Sequence, residues 1–309
     1  MIKKAQLQVS FAWLFAIIVG AFILFIAIYG VTRLSDTGGE LTSAKTGKEI
    51  GILLNPLETG FEDGITTLLT MPVETRINNG CLAGGNFGRQ TISVSQLSFG
   101  EFKETEIDVG FSNKYIFSDK VIQGENFFIF SKPFNFPFKV SDVIYLTSSD
   151  KEYCFVESDG RPERIENEIS KLGQDNLLLE DCSENSVRVC FETEQDCDIE
   201  VSENRKSVEK RGETLYYETD ALMFAAIFSE KNVYECQIQR LVKRTKELSL
   251  IYDDKVSLIS SRGCATSQVN LLGLIGGLEG IEDSSDLVTV SSLVKSIERE
   301  NDREECRLW

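Results

Sequence analysis

The residues with the clearest chemistry in this sequence are its eight cysteines. None belongs to a Cys-x-x-Cys pair, and the chain contains no histidine, so the close ligand spacings of structural zinc sites are missing. An even number of cysteines favours disulfide bonds if the body faces outside the cell, and buried reduced thiols are the alternative. Sequence does not choose the pairing, although Cys190 and Cys197 flank a predicted turn and form the bridge that we expect first. The disulfide candidates are Cys81, Cys154, Cys182, Cys190, Cys197, Cys236, Cys264 and Cys306.

The absence of histidine also removes several classes of enzyme. Ser-His-Asp and Cys-His nucleophiles need that side chain, whereas carboxylate pairs, Ser-Lys dyads and tyrosine chemistry do not. No particular pair of acids stands out. The glycine-rich loop at residues 78–89 lacks the Gly-Lys-Ser/Thr ending of a P-loop, so we expect a turn tied down by Cys81. We predict no catalytic residue, no cofactor and no metal site.

Residues 11–31 form a continuous apolar stretch. A helix rises about 1.5 Å per residue, so this stretch can cross a hydrocarbon core roughly 30 Å thick. It is longer than the apolar part of a cleavable signal peptide, and no A-x-A-like site follows it. Lys3 and Lys4 before it favour a cytoplasmic N-terminus. We therefore predict a single-pass helix in the cell membrane, in contact with lipid, with an extracellular C-terminal domain.

Small residues recur on one face of this predicted helix. Ala12, Ala16 and Gly20 are four residues apart, and small side chains let a second helix approach closely in lipid. The alternative is that alanine and glycine are simply common in such helices. We predict that this face packs against other subunits or a second copy of the chain.

The N-terminus resembles that of archaeal type IV pilins and pilin-like surface proteins. Those proteins have a short basic leader, then Gln-x-Ser, then a long apolar helix, and residues 3–10 followed by Phe11 are similar to that pattern. The resemblance implies leader cleavage before Gln6 or Gln8. The glutamate that the family usually has five residues after cleavage is replaced here by Ser10 or Ala12.

The composition describes an acidic, folded chain. Its net charge is −17, and the segment before Leu34 contains three basic residues and no acidic one, so the remainder is more acidic still. Such a body repels nucleic acid, which we do not expect as a partner. A hydrophobic content of 42% and 20 phenylalanines argue against disorder.

The expected fold class is α+β, with an N-terminal transmembrane helix, a strand-rich middle region and a helical C-terminal region. The predicted segments are a short cytoplasmic or leader segment (1–10), the transmembrane helix (11–31), a juxtamembrane linker and helix (32–72), a β-rich ectodomain region (73–217) and a helical region (218–309).

Within these segments, alternation and turn residues predict individual elements. Residues 187–191 and 198–201 are predicted to form a hairpin. The phenylalanines between residues 111 and 138 are predicted to be sheet core, although Pro133 and Pro137 leave a binding role open. Further strands are predicted at 91–95, 107–111, 114–117, 127–130, 143–146, 207–210 and 214–218. Helices are predicted at 41–57, 161–173, 221–228, 229–261, 271–280 and around 287–297.

These observations favour a non-catalytic, membrane-anchored surface protein that acts by assembly or contact, and the resemblance implies a pilin-like subunit. One alternative is a tethered receptor or adhesin that binds a ligand or calcium, although the acids at 253–254 and 279–283 lack EF-hand spacing. A second, weaker alternative is an ectoenzyme that uses paired carboxylates.

Overall fold

The computed structural model describes residues 13–31, 66–98, 100–103, 109–156, 161–192, 197–264 and 269–309. It confirms the α+β class, with an apolar N-terminal helix, a middle region of two sheets and a helical C-terminal region. Ala12, the segment 1–10 and the predicted juxtamembrane helix at 41–57 lie outside the described residues.

The first helix, α1, spans Trp13–Val31 and is long and apolar enough to cross a membrane. Its mean hydropathy is 2.8 and none of it is buried against the rest of the protein. Ala16 and Gly20 are exposed, and an added Cβ at Gly20 would meet no described atom within 4 Å.

The first sheet has seven strands in the order β3-β2-β1-β6-β7-β5, with β4 also paired to β2. The β5–β7 pair is parallel and the other pairs are antiparallel. Its first strand starts at Thr67, inside the expected linker, and runs through Pro72, where the register with β6 shifts between Thr70 and Thr75. The shift fits proline, which cannot donate to the ladder. The strands are β1 Thr67–Leu82, β2 Arg89–Ser98, β3 Glu101–Lys103, β4 Val109–Phe111, β5 Ile116–Phe117, β6 Val121–Asn135 and β7 Lys139–Ser148.

The phenylalanine-rich stretch lies mainly in the core of this sheet, as predicted. Phe127 and Ile129 belong to one buried cluster, whereas Phe130 and Phe134 belong to another, as expected when successive side chains point to opposite faces. The phenylalanines around the two prolines, Phe134, Phe136 and Phe138, are also buried, with Phe136 at 3% exposure. They therefore offer no exposed aromatic surface for binding.

The second sheet has six strands in the order β13-β12-β11-β10-β8-β9. The hairpin prediction for its middle is wrong, because β10 and β11 pair in parallel, with Val189 opposite Ile199. The strands predicted at 207–210 and 214–218 are present as β12 and β13, which pair as an antiparallel hairpin. The strands are β8 Tyr153–Phe155, β9 Leu177–Leu178, β10 Val187–Phe191, β11 Ile199–Ser202, β12 Ser207–Lys210 and β13 Glu213–Tyr216.

The remaining helices follow the predicted apolar spacing closely. The amphipathic helix α2 buries Ile165, Ile169 and Leu172. The prediction that Ser229 starts the long helix is wrong, since Glu230 is its N-cap and Ser229 is the C-cap of the helix before it. The helices are α2 Glu163–Leu172, α3 Asp220–Phe228, α4 Lys231–Ser261, α5 Leu271–Leu278 and α6 Leu287–Arg303.

The helix α3 lies at the centre of the molecule. It packs against β5, β6 and β7 of the first sheet and against β12 and β13 of the second. Every residue from Ala221 to Phe228 is at most 3% exposed, as expected for a helix that is apolar on all sides. Thr219 accepts a hydrogen bond from the Leu222 amide and caps the start of the helix. This helix therefore joins the cores of the two sheets.

All eight cysteines lie in disulfide bonds, and the expected Cys190–Cys197 bridge is among them. That bridge spans the short return between β10 and β11, where parallel strands normally need a much longer crossover. The other pairs are Cys81–Cys236, Cys154–Cys182 and Cys264–Cys306. Cys81 ties down the glycine-rich loop, as predicted, and its partner lies on α4.

A buried arginine on α4 fastens the same loop. The Arg240 side chain has no exposed surface and donates to the carbonyl oxygens of Phe87 (3.2 Å), Lys114 (2.7 Å) and Ser112 (3.0 Å). Lys243 donates to the carbonyl oxygen of Gly85 at 3.0 Å. Together with Cys236, these side chains follow one another at helical spacing, so one face of α4 holds the loop through a disulfide and two cations.

The attachment of the loop can be tested at Gly88, where an added side chain would collide with Arg240. Gly88 has φ +60°, and an added Cβ would lie 2.5 Å from the Leu82 oxygen and 2.8 Å from Cγ of Arg240. Gly85 has φ +75° and no atom within 4 Å of an added Cβ, so it is a matched control. We expect Gly85→Ala to lower the free energy of unfolding by about 1 kcal/mol, from backbone strain alone. Gly88→Ala adds overpacking and should lower it by about 2–4 kcal/mol.

The measurement is urea unfolding of the full chain in detergent, under non-reducing conditions. Equal losses for the two substitutions would contradict the tight contact between Gly88 and Arg240.

Candidate functional site

A lysine from the second sheet closes the end of the central helix. The last carbonyl groups of a helix have no partner within it and must find one elsewhere. Lys210, the last residue of β12, donates to the carbonyl oxygens of Ala226 (2.6 Å), Ile227 (3.1 Å) and Ser229. Its ammonium group also complements the negative end of the helix dipole. Lys210 therefore connects the second sheet to the C-terminal end of α3.

The environment of Lys210 perturbs its titration. Burial lowers its pKa to about 7, and the nearby charges of Lys151 and Arg211 act in the same direction. Asp119 and Glu230 oppose the shift, because a negative charge favours the ammonium form. These influences place two cations and two carboxylates around the ammonium group of Lys210.

A cleft of about 420 Å³ opens at this end of α3. Three parts of the protein form its walls. The loops beside the first sheet contribute Asp119 and Lys151. The second sheet and its loops contribute lining residues within 184–187, 198–199 and 210–213, and the α3–α4 junction contributes lining residues within 227–232. A smaller cavity of about 240 Å³ adjoins it and shares Asp119 and Lys151. The cleft therefore lies where the two sheets and the central helix meet.

An ion pair forms the boundary between the two cavities. Nζ of Lys151 lies 2.5 Å from Oδ2 of Asp119 and 5.1 Å from the ring centroid of Tyr153. Burial alone would lower the pKa of Lys151, but Tyr153 and Asp119 outweigh it and leave the pKa above its ordinary value. Burial raises the pKa of Tyr153 to about 12, so its phenol is protonated at neutral pH. This part of the wall is a neutralised pair beside a protonated phenol.

The rest of the lining carries charged side chains of both signs that form no ion pair within the described part of the chain. They are Arg211, Lys231, Glu184, Asp198, Glu213 and Glu230. All six line the cleft. Arg211 and Glu213 are exposed at its rim, whereas Glu230 and Lys231 are partly buried where α4 begins. These side chains are available to a bound molecule.

Comparison with protein-family models, with curated proteins and with solved structures gives no match. Assignment of a role to the cleft therefore depends on its own geometry.

Sequence reasoning missed the cleft altogether. Its charged residues come from separate segments, and the sequence around Lys210 and Arg211 indicates only a hairpin turn. The usable signal was weak: Lys210 ends a strand that precedes an apolar helix, and such a helix needs partners for its last carbonyl groups.

Two of the acids considered for cation binding have other roles. Glu279 pairs with Lys246, and Asp283 caps the short 3-10 helix Ser284–Asp286. Among the described residues, no group of three or more acids or cysteines is arranged to hold a metal ion.

The lowered pKa of Lys210 predicts a pH-dependent stability. The unfolded chain, where this lysine titrates near 10.5, binds more protons than the native chain between about pH 7 and that value. The contribution of Lys210 to the free energy of unfolding should therefore rise as the pH is raised from about 7 to about 9.5. The measurement compares wild type with Lys210→Met by urea unfolding at both pH values, since all other titrating groups are common to the two proteins.

The free energy of unfolding of the wild type, relative to that of Lys210→Met, should be larger at the higher pH. A difference that does not change with pH would mean that the three carbonyl oxygens keep the ammonium charged throughout.

Proposed function

We propose that this chain is a non-catalytic, membrane-anchored surface protein whose disulfide-linked body lies outside the cell. The observation that carries the proposal is the combination of one fully exposed apolar helix with four disulfide bonds that use every cysteine. Disulfides persist in oxidising compartments, and an exposed helix of this hydropathy is stable in lipid. The acidic composition of the body favours solubility on the aqueous side.

The mode of action that we propose is assembly or contact with other protein subunits. The exposed small residues Ala16 and Gly20 support it, because they allow a neighbouring helix to approach α1 closely. The similarity of the N-terminus to pilin-like proteins points in the same direction.

A tethered receptor is the second candidate, and the polar cleft favours it. The cleft has the volume of a small-molecule site, which is typically about 300–1,000 Å³. The charged lining residues that form no ion pair are also suited to a polar ligand. In this second candidate, α1 would hold the receptor body at the membrane surface.

The location is tested on intact cells that express the full chain with an N-terminal tag. We expect added protease to degrade the body while the tag remains protected, because a cytoplasmic N-terminus lies behind the membrane. Non-reducing mass spectrometry should find all eight cysteines resistant to alkylation. A body protected from protease, together with free thiols that react with the alkylating agent, would overturn the proposed location.

The helix face is tested by enlarging its small residues. We expect Ala16→Leu with Gly20→Leu to weaken self-association in detergent by at least about tenfold, because bulky side chains separate the packed helices. Ala21→Leu is the matched control, since a helix turns about 100° per residue and Ala21 therefore lies on another face. The measurement is analytical ultracentrifugation of the three proteins. Unchanged association in the double substitution would remove this face from the assembly proposal.

A further inference from the structure

We propose that the cleft at the end of α3 binds a short zwitterionic peptide that carries an apolar side chain. This inference rests on the second candidate function, ligand binding, and names the ligand class. It does not depend on the membrane anchor, because the whole lining lies between Asp119 and Asn232 and none of it belongs to α1.

The cleft offers separate partners for a positive and a negative end group. Arg211 and Lys231 provide cations without ion pairs, and Arg211 can bind a carboxylate through two parallel N–H groups. Glu213 and Glu230 provide carboxylates for an ammonium group. A ligand of one charge would leave one of these sets unmatched, whereas a zwitterion satisfies both.

Lys210 contributes through its charge and not as a direct partner. Its ammonium group has three protons, and the carbonyl oxygens of Ala226, Ile227 and Ser229 accept from it. Asp119 and Lys151 similarly neutralise each other. The contacts that select the ligand are therefore left to the six charged side chains of the lining without ion pairs, which are Arg211, Lys231, Glu184, Asp198, Glu213 and Glu230.

Three apolar residues also belong to the walls. They are Val187, Ile199 and Ile227, of which Val187 is the most exposed. A space of about 420 Å³ exceeds the needs of an inorganic ion and accommodates a peptide of a few residues. Burial of an aliphatic ligand side chain against these residues adds roughly 25 cal/mol for each Å² removed from water.

The test is isothermal titration calorimetry of the full chain in detergent at about pH 7, under non-reducing conditions. The probe is glycyl-leucine, which has both end charges and an aliphatic side chain. The matched ligands are N-acetyl-glycyl-leucine, which lacks the amine charge, and glycyl-leucinamide, which lacks the carboxylate. We expect the uncapped dipeptide to bind, and each capped form to bind at least about tenfold more weakly.

The protein variants are Arg211→Gln and Glu230→Gln, whose side chains make no ion pair in the described structure. Arg307→Gln is the control, because it removes an exposed ion pair with Asp302 and lies outside the cleft. Each cleft variant should weaken binding at least about tenfold, and the control should leave it unchanged. Thermal unfolding of each variant verifies that it remains folded.

Three results would overturn the inference. They are the absence of heat with glycyl-leucine, equal binding of capped and uncapped forms, and binding that neither cleft variant weakens. Equal binding of all forms, weakened by the cleft variants, would leave the receptor candidate in place while excluding the zwitterion.

Discussion

Burial of an entirely apolar helix between two sheets is the constraint that organises this structure. Because the residues from Ala221 to Phe228 are buried, each terminal backbone group of α3 left without a partner would cost about 1–3 kcal/mol. The protein meets this demand with side chains from three places. Thr219 caps the first turn, the Tyr145 hydroxyl donates to the Ala221 carbonyl oxygen at 2.7 Å, and Lys210 reaches the last turn. The need to bring a cation to one end of the helix also creates the charged environment of the cleft.

A second buried cation solves a similar problem between α4 and the first sheet. Arg240 is surrounded by neutral acceptors, among them the Gln237 side chain at 2.7 Å, and its guanidinium lies 4.7 Å from the centroid of the Tyr115 ring. Burial lowers the pKa of Arg240, and Tyr115 acts against this shift. Loss of the guanidinium would leave several carbonyl groups unsatisfied at once, so the attachment of the glycine-rich loop to α4 depends on it.

The features that were predictable from sequence are those set by local patterns. Apolar spacing located the helices from Arg161 onward, alternation located most strands, and the distance between Cys190 and Cys197 suggested their bridge. Local sequence patterns do not indicate whether two neighbouring strands pair in parallel or antiparallel. The parallel arrangement of β10 and β11 depends on how the chain returns between them, and a turn-like sequence fits either arrangement. The cleft was even less accessible, because its charges come together only when both sheets pack on α3.

The Cys81–Cys236 bridge has a mechanical consequence. It joins the far end of β1 directly to α4, so the two are covalently connected without passing through the residues between them. A pull between the N-terminal side of the body and α4 therefore travels along β1 and across the sulfur atoms. Because this path is covalent throughout, the ladder bonds that join β1 to β2 and β6 do not have to carry the force. The second sheet lies outside this path and bears none of the tension.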